Sequence, residues 1–148
     1  MSRDLYVGRV REGAPGAPTL FAFHGTGGDE AQFFDLAREG PAYAFGYSNG
    51  ANILAATQMA HPHLFARVAL LHPLIPWDPA PVALSGVDVL ITAGRRDPIT
   101  PWSESQKLLD WYAEQGARVS KVVHEGGHEL RKEEVAALAG VLSEPATA

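Results

Sequence analysis

Ala42-Tyr43-Ala44-Phe45-Gly46-Tyr47-Ser48-Asn49-Gly50 runs straight into Ala51-Asn52-Ile53-Leu54-Ala55-Ala56-Thr57-Gln58-Met59-Ala60. The first four residues are an apolar segment of strand length, and the last ten suit a helix. Between them lies Gly-x-Ser-x-Gly, which predicts strand, sharp turn and helix with Ser48 at the apex. Gly46 and Gly50 leave no Cβ where the two backbones crowd together, so the turn can hold a strained serine and present its hydroxyl. The helix N-terminus behind it aims amide donors at developing negative charge. The pentapeptide alone also occurs in ordinary loops; the strand and helix around it give it weight.

Further elements follow in both directions. Leu5-Val10 alternates enough for an edge strand, and Gly13-Pro18 is a turn rich in breakers. Thr19-Phe23 is a short apolar strand running into the glycine loop His24-Gly25-Thr26-Gly27-Gly28. Asp29 or Glu30 can cap a helix to about Arg38 that buries Phe33, Phe34 and Leu36-Ala37. After the Ser48 turn, its helix stops near His61-Pro62, Arg67-Leu71 is strand-like, and Pro73-Pro81, with four prolines, is irregular. Val87-Ala93 is a β-branched strand ended by Gly94. Trp102-Gln115 is a helix with Pro101 at its start and Gly116 after its end. Val119-His124 alternates as a strand, and Lys132-Leu142 is a last amphipathic helix before a frayed end. Strands alternating with helices predict a single α/β domain over residues 1–148, with a mostly parallel sheet.

Bulk properties narrow the function. With 46% hydrophobic and 20% charged residues the composition is that of an ordinary globular protein. A formal net charge of −5 argues against nucleic acid or an anionic membrane as partner, because both call for a basic surface. The absence of cysteine excludes disulfides, thiolate metal sites and a cysteine nucleophile. Met1-Tyr6 lacks the apolar core of a signal peptide and no run reaches membrane-spanning length, so a soluble cytoplasmic protein is expected.

A serine hydroxyl needs a base, and the base needs an orienting carboxylate. Asp97, in Gly94-Arg95-Arg96-Asp97-Pro98, follows one predicted strand; His128, in Glu125-Gly126-Gly127-His128, follows another. Loops at the carboxyl ends of parallel strands are where such a sheet places its site. Singly, Asp97 reads equally well as a turn residue and His128 as a surface residue or cap. Jointly they are stronger, because serine, aspartate and histidine each terminate a separate strand in the required order. An oxyanion hole calls for two backbone donors, expected from Asn49 and from Thr26 in the glycine loop. That loop has neither Gly-Lys-Ser/Thr nor Gly-x-Gly-x-x-Gly spacing, which argues against a phosphate site.

The remaining aromatic and imidazole groups carry weaker signals. His61 and His63 sit at a helix end, where cations suit the dipole; without further ligands the pair is not read as a metal site. His72 and His124 end strands and read as buried residues behind the site or as cleft walls. His24 is expected to brace the glycine loop beside Gly25, and both are expected near the substrate. Tyr47, Trp77 and Trp102 are candidate pocket lining, with core packing as the alternative.

Taken together, these motifs resemble the α/β-hydrolase superfamily, and within it the small carboxylesterase/phospholipase group that includes acyl-protein thioesterase-like enzymes. The resemblance rests on Phe23-Glu30, Gly46-Asn52, Ala93-Pro101 and Gly126-Leu130, and it covers nearly the whole chain. The His-Gly-Thr-Gly-Gly-Asp-Glu form is similar to that of a bacterial branch of hydroquinone-linked hydrolases and esterases. The resemblance implies an α/β-hydrolase-like three-layer sandwich with Ser48 as nucleophile, His128 as general base and then acid, and Asp97 as orienter. It implies Thr26 and Asn49 as oxyanion donors. It also implies a small-molecule ester as substrate and no metal or organic cofactor.

The chain departs from this pattern in one place. Leu36-Ala42 passes directly from the first helix to the elbow strand, where the family has a further strand-plus-helix unit of roughly 30 residues or more. A direct crossover on the family's face would be left-handed, against a strong rule. The helix can change face, a second chain such as a homodimer partner can complete the sheet, or a segment is deleted or omitted; the last is favoured. The loss would leave the Thr19-Phe23 strand as a hydrophobic edge. The expected activity is carboxylesterase, through an acyl-enzyme. Thioesterase or lysophospholipase activity, or a non-catalytic hydrolase-like remnant or binding module, are the alternatives.

Overall fold

The structure, a computed structural model, describes residue 16, residues 19–23 and residues 41–144. The elements expected at Leu5-Val10 and from Asp29 or Glu30 to Arg38 lie outside the described residues, as does most of the passage into the elbow strand. Five strands are described: β1 (Thr19–Phe23), β2 (Ala42–Tyr47), β3 (Arg67–Leu71), β4 (Asp88–Gly94) and β5 (Arg118–His124). The helices are α1 (Asn49–Ala60), α2 (Trp102–Glu114) and α3 (Lys132–Ser143). All four strand pairings are parallel and the order across the sheet is β1-β2-β3-β4-β5.

Period-two alternation sorts the strand side chains to two faces. From β3, Val68 and Leu70 join Ala44 of β2 and Val89 and Ile91 of β4 in one core, covered by Ala51, Leu54 and Ala55 of α1 and Leu108, Leu109 and Tyr112 of α2. Ala69 and Leu71 of the same strand face the other way with Leu90, against Ala137, Leu138 and Val141 of α3. Helices on both sides of a parallel sheet make the three-layer sandwich expected from the sequence.

The β3–β4 connection carries no helix. Its apolar residues Ile75 and Leu84 enter the α1/α2 core instead. Two bonds to Gln115 pin it to the end of α2: the Leu84 amide donates to the backbone carbonyl at 2.9 Å and the Val82 amide to Oε1 at 2.9 Å. At the opposite side, β1 is the last described strand, and Leu20 on it is 49% exposed. Among the described residues, no strand covers that edge.

Candidate active site

Register brings the strand ends level. Tyr47 pairs with Leu71, Leu71 with Thr92, and Gly94 with His124. The residues leaving those ends, Ser48, His72, Arg95–Asp97 and Glu125–His128, therefore emerge along one rim of the sheet.

Ser48 has φ 55° and ψ −118°, a backbone conformation costing roughly 1–3 kcal/mol for a side-chain-bearing residue. It is held there on both sides. Its amide donates to the Leu71 carbonyl at 2.8 Å, and its carbonyl accepts the Asn52 amide at 3.1 Å, opening α1. A Cβ on Gly46 would lie 2.5 Å from the Gly50 carbonyl carbon and 2.7 Å from the Ala51 nitrogen. Only glycine lets the strand and helix backbones meet this closely. Asn49 is the first residue of α1, where an amide has no acceptor within its own helix.

The β4 and β5 loops are tied to each other. The Arg95 amide donates to the His124 carbonyl at 2.8 Å and the Arg96 amide to the Gly126 carbonyl at 2.9 Å. A Cβ on Gly94 would collide with the carbonyl oxygens of Gly126 and Gly127. This close packing brings Asp97 and His128 together. His128 Nδ1 lies 2.7 Å from Asp97 Oδ2, and His128 Nε2 lies 2.8 Å from Ser48 Oγ. Tyr47 closes over this group: its hydroxyl donates to the His128 carbonyl at 2.6 Å, and its ring centroid is 5.4 Å from the imidazole. Burial, followed by the carboxylates of Asp97, Glu134 and Glu129, raises the Tyr47 pKa, so the phenol is protonated and a donor.

Asp97 is buried, and burial alone would raise its pKa. Amide donation from Thr100, the imidazoles of His72 and His128, and amide donation from Ile99 outweigh that effect and hold the carboxyl at about 2. Oδ1 takes the two amides, each at 2.8 Å; Oδ2 faces the two imidazoles. The group is thus an anion with four donors.

A second histidine behind Asp97 extends the network. His72 Nδ1 is 2.8 Å from Asp97 Oδ2, and His72 Nε2 is 2.8 Å from Glu134 Oε1. Glu134 Oε2 accepts the Arg131 amide at 2.6 Å and lies 3.2 Å from His124 Nε2. His72 and His124 are buried, as expected for the ends of β3 and β5. Glu134 was not foreseen. An acidic residue in the first turn of a helix reads as a capping group, which it also is here, and nothing in its neighbourhood signals full burial.

The other expected residues fall in different places. His24, Gly25 and Thr26 lie outside the described residues. Trp102 packs against the α1/α2 core, with the Arg95 guanidinium 4.8 Å above its ring. Trp77, half exposed, lines a groove of ≈ 430 Å³ with Ile75, Lys107 and Trp111. Two groups of metal-ligating type occur among the described residues, His72-Asp97-His128 and His72-His124-Glu134, and neither includes His61 or His63. In both, His72 and the carboxylates already engage their lone pairs and protons with one another at 2.7–2.8 Å. No helix among the described residues is long and apolar enough to cross a membrane.

Comparison with known proteins agrees with this architecture. The protein Atu2452 of unknown function from Agrobacterium tumefaciens is 34% identical, with a TM-score of 0.81 over 97% of this chain and 98% of that one. A Bacillus cereus carboxylesterase superposes with a TM-score of 0.71 at 24% identity, over 85% of this chain and 87% of its own, a likeness of fold. MhqD of Bacillus subtilis (strain 168), a hydrolase by assignment, is 34% identical over 107 residues, 72% of this chain and 54% of MhqD. The chain thus spans about half the length of this curated relative. No protein-family model matches. The chain has the α/β-hydrolase-like fold of these solved structures and is similar in sequence to Atu2452 and to MhqD.

Proposed function

We propose that this protein hydrolyses small carboxylic esters through an acyl-enzyme on Ser48. The observation that carries the reading is the continuous chain Ser48 Oγ to His128 Nε2 at 2.8 Å and His128 Nδ1 to Asp97 Oδ2 at 2.7 Å. In this reading Ser48 Oγ attacks the ester carbonyl carbon while His128 Nε2 takes its proton. Asp97 stays ionised, fixes the His128 tautomer and stabilises the imidazolium. The oxyanion is met by the Asn49 amide at the start of α1, and by the Thr26 amide assigned from its place in the glycine loop. Collapse expels the alcohol, which leaves with the proton from His128. Water, deprotonated by the same imidazole, then attacks the acyl carbon; the acid departs and Ser48 regains its proton.

Tyr47, the Trp77 groove and Trp102, with His24 and Gly25 of the glycine loop, are the proposed surroundings of the acyl and alcohol groups. None of these steps requires a metal or organic cofactor. The test is turnover of p-nitrophenyl acetate and butyrate by wild type and Ser48→Ala. The reading expects a loss of at least about 10³-fold in kcat for the variant. Equal turnover would refute it.

A further inference from the structure

We infer that His72 and Glu134 are positioning residues for the reaction: a buried pair sharing one proton, which holds the Asp97 carboxylate in the orientation His128 needs. The inference rests on the proposed hydrolase reading and deepens it.

Proton accounting leads to it. Asp97 is an anion whose Oδ1 is already taken by the amides of Ile99 and Thr100. Its Oδ2 faces Nδ1 of both His128 and His72, so each of these nitrogens must carry hydrogen. His72 Nε2 then has two options toward Glu134 Oε1, 2.8 Å away. It donates, making an imidazolium beside a carboxylate, or it accepts from a protonated carboxyl.

His124 does not supply that proton to the line. Its Nδ1 accepts the Gly126 amide at 3.0 Å, so it is neutral with its hydrogen on Nε2, facing Glu134 Oε2. That Nε2 lacks the alignment of a true hydrogen bond. In either state one proton lies on the His72–Glu134 line, and both side chains are fully buried, with 0% exposure. Removing one partner leaves the other without compensation.

The backbone is arranged to hold His72 there. Its φ is 52°, a left-handed conformation uncommon for any residue but glycine. Its amide donates to the Thr92 carbonyl at 3.0 Å, and the Leu74 amide just beyond is fixed by Asn52 Oδ1 at 2.6 Å. Asn52 belongs to α1, the helix that follows Ser48. A strained, buried histidine tied to the elbow helix and bonded at both nitrogens is costly as packing alone. The other titratable groups around its ring are His128, His124 and Tyr47, with centroids at 5.2, 5.5 and 5.9 Å.

The experiment compares paired substitutions by kcat, KM and the pH–rate profile on a p-nitrophenyl ester, with circular dichroism reporting folding and Ser48→Ala as reference. His72→Ala removes a donor from Asp97 Oδ2. It should lower kcat about 10- to 100-fold, the size of one hydrogen bond to a charged group, with little change in KM. With fewer donors, Asp97 presents more charge to His128, the imidazolium persists to higher pH, and the acid limb moves up. His72→Asn, which keeps an N–H toward Asp97, should recover most of the loss. Glu134→Gln can donate to His72 Nε2 and accept from Arg131, so it should stay near wild type while Glu134→Leu does not. If His72→Ala fails to fold, the contrast between Glu134→Gln and Glu134→Leu decides the matter.

The inference is overturned if the folded variants all turn over like wild type with an unmoved acid limb while Ser48→Ala is dead. If Ser48→Ala matches wild type, the hydrolase reading has failed and the inference falls with it.

Discussion

The Ser48 amide donates to the Leu71 carbonyl at 2.8 Å, fastening the turn at the end of β2 to the last residue of β3. The residue after Leu71 is His72. The proposed nucleophile and the histidine behind Asp97 are therefore set by neighbouring strand ends, and both sit at positive φ, 55° and 52°. Among the described residues no other non-glycine residue has this conformation.

Strain at Ser48 predicts a stability difference between two variants that the proposed mechanism expects to be inactive. Ser48→Gly relieves the steric cost of φ 55°, whereas Ser48→Ala keeps a Cβ there. Ser48→Gly should be the more stable by about 1 kcal/mol, read as a higher Tm or urea midpoint. Equal midpoints would mean that the turn stores no strain.

Asp97 predicts an acid dependence of stability. Its pKa falls from 3.8 to about 2 on folding, so in acid the unfolded chain binds this proton before the folded one does. The stabilisation is fully present above about pH 5 and is lost as pH falls toward 2. It is worth about 2 kcal/mol at neutral pH. Asp97→Asn should be less stable at pH 7 by at least that order and should show a flatter decline between pH 5 and pH 2. Denaturant unfolding across that range measures both. In turnover, the carboxamide of Asp97→Asn would set an N–H against a donor on one side or the other, and kcat should fall about 10⁴-fold.

Tyr112 gives a prediction away from the site. The phenol is fully buried between sheet and α2, and its hydroxyl meets no acceptor or donor among the described residues. Burial raises its pKa accordingly. Tyr112→Phe removes an unsatisfied group while keeping the ring, so stability should be unchanged or higher by about 1 kcal/mol. A clear loss on thermal melting would show that the hydroxyl has a partner.

The elements legible in the sequence are those marked by local chemistry. Thr19–Phe23 and Arg67–Leu71 stand where the apolar runs place them, and glycine and proline bracket α2. The elbow strand runs two residues further than the apolar segment suggests, through Gly46 and Tyr47, because ladder bonds to β3 continue past Phe45. Ser48, Asp97 and His128 were readable because each follows a strand in a recognisable loop. Glu134 was not: its burial depends on α3 docking across the ends of β3 and β5, which is tertiary and leaves no local mark. The bond from His72 to Asp97 was hidden for the same reason, since residues 25 apart meet only once the sheet has formed.

Reaction with a fluorophosphonate, followed by mass-spectrometric mapping of the adduct, probes the proposed Ser48–His128–Asp97 chain most directly, because it needs no assumption about the natural ester. The expected result is one phosphonyl group on Ser48, strongly slowed in His128→Ala and absent in Ser48→Ala. Folded wild-type protein that takes no label, or that takes it on another residue, would contradict Ser48 as the nucleophile.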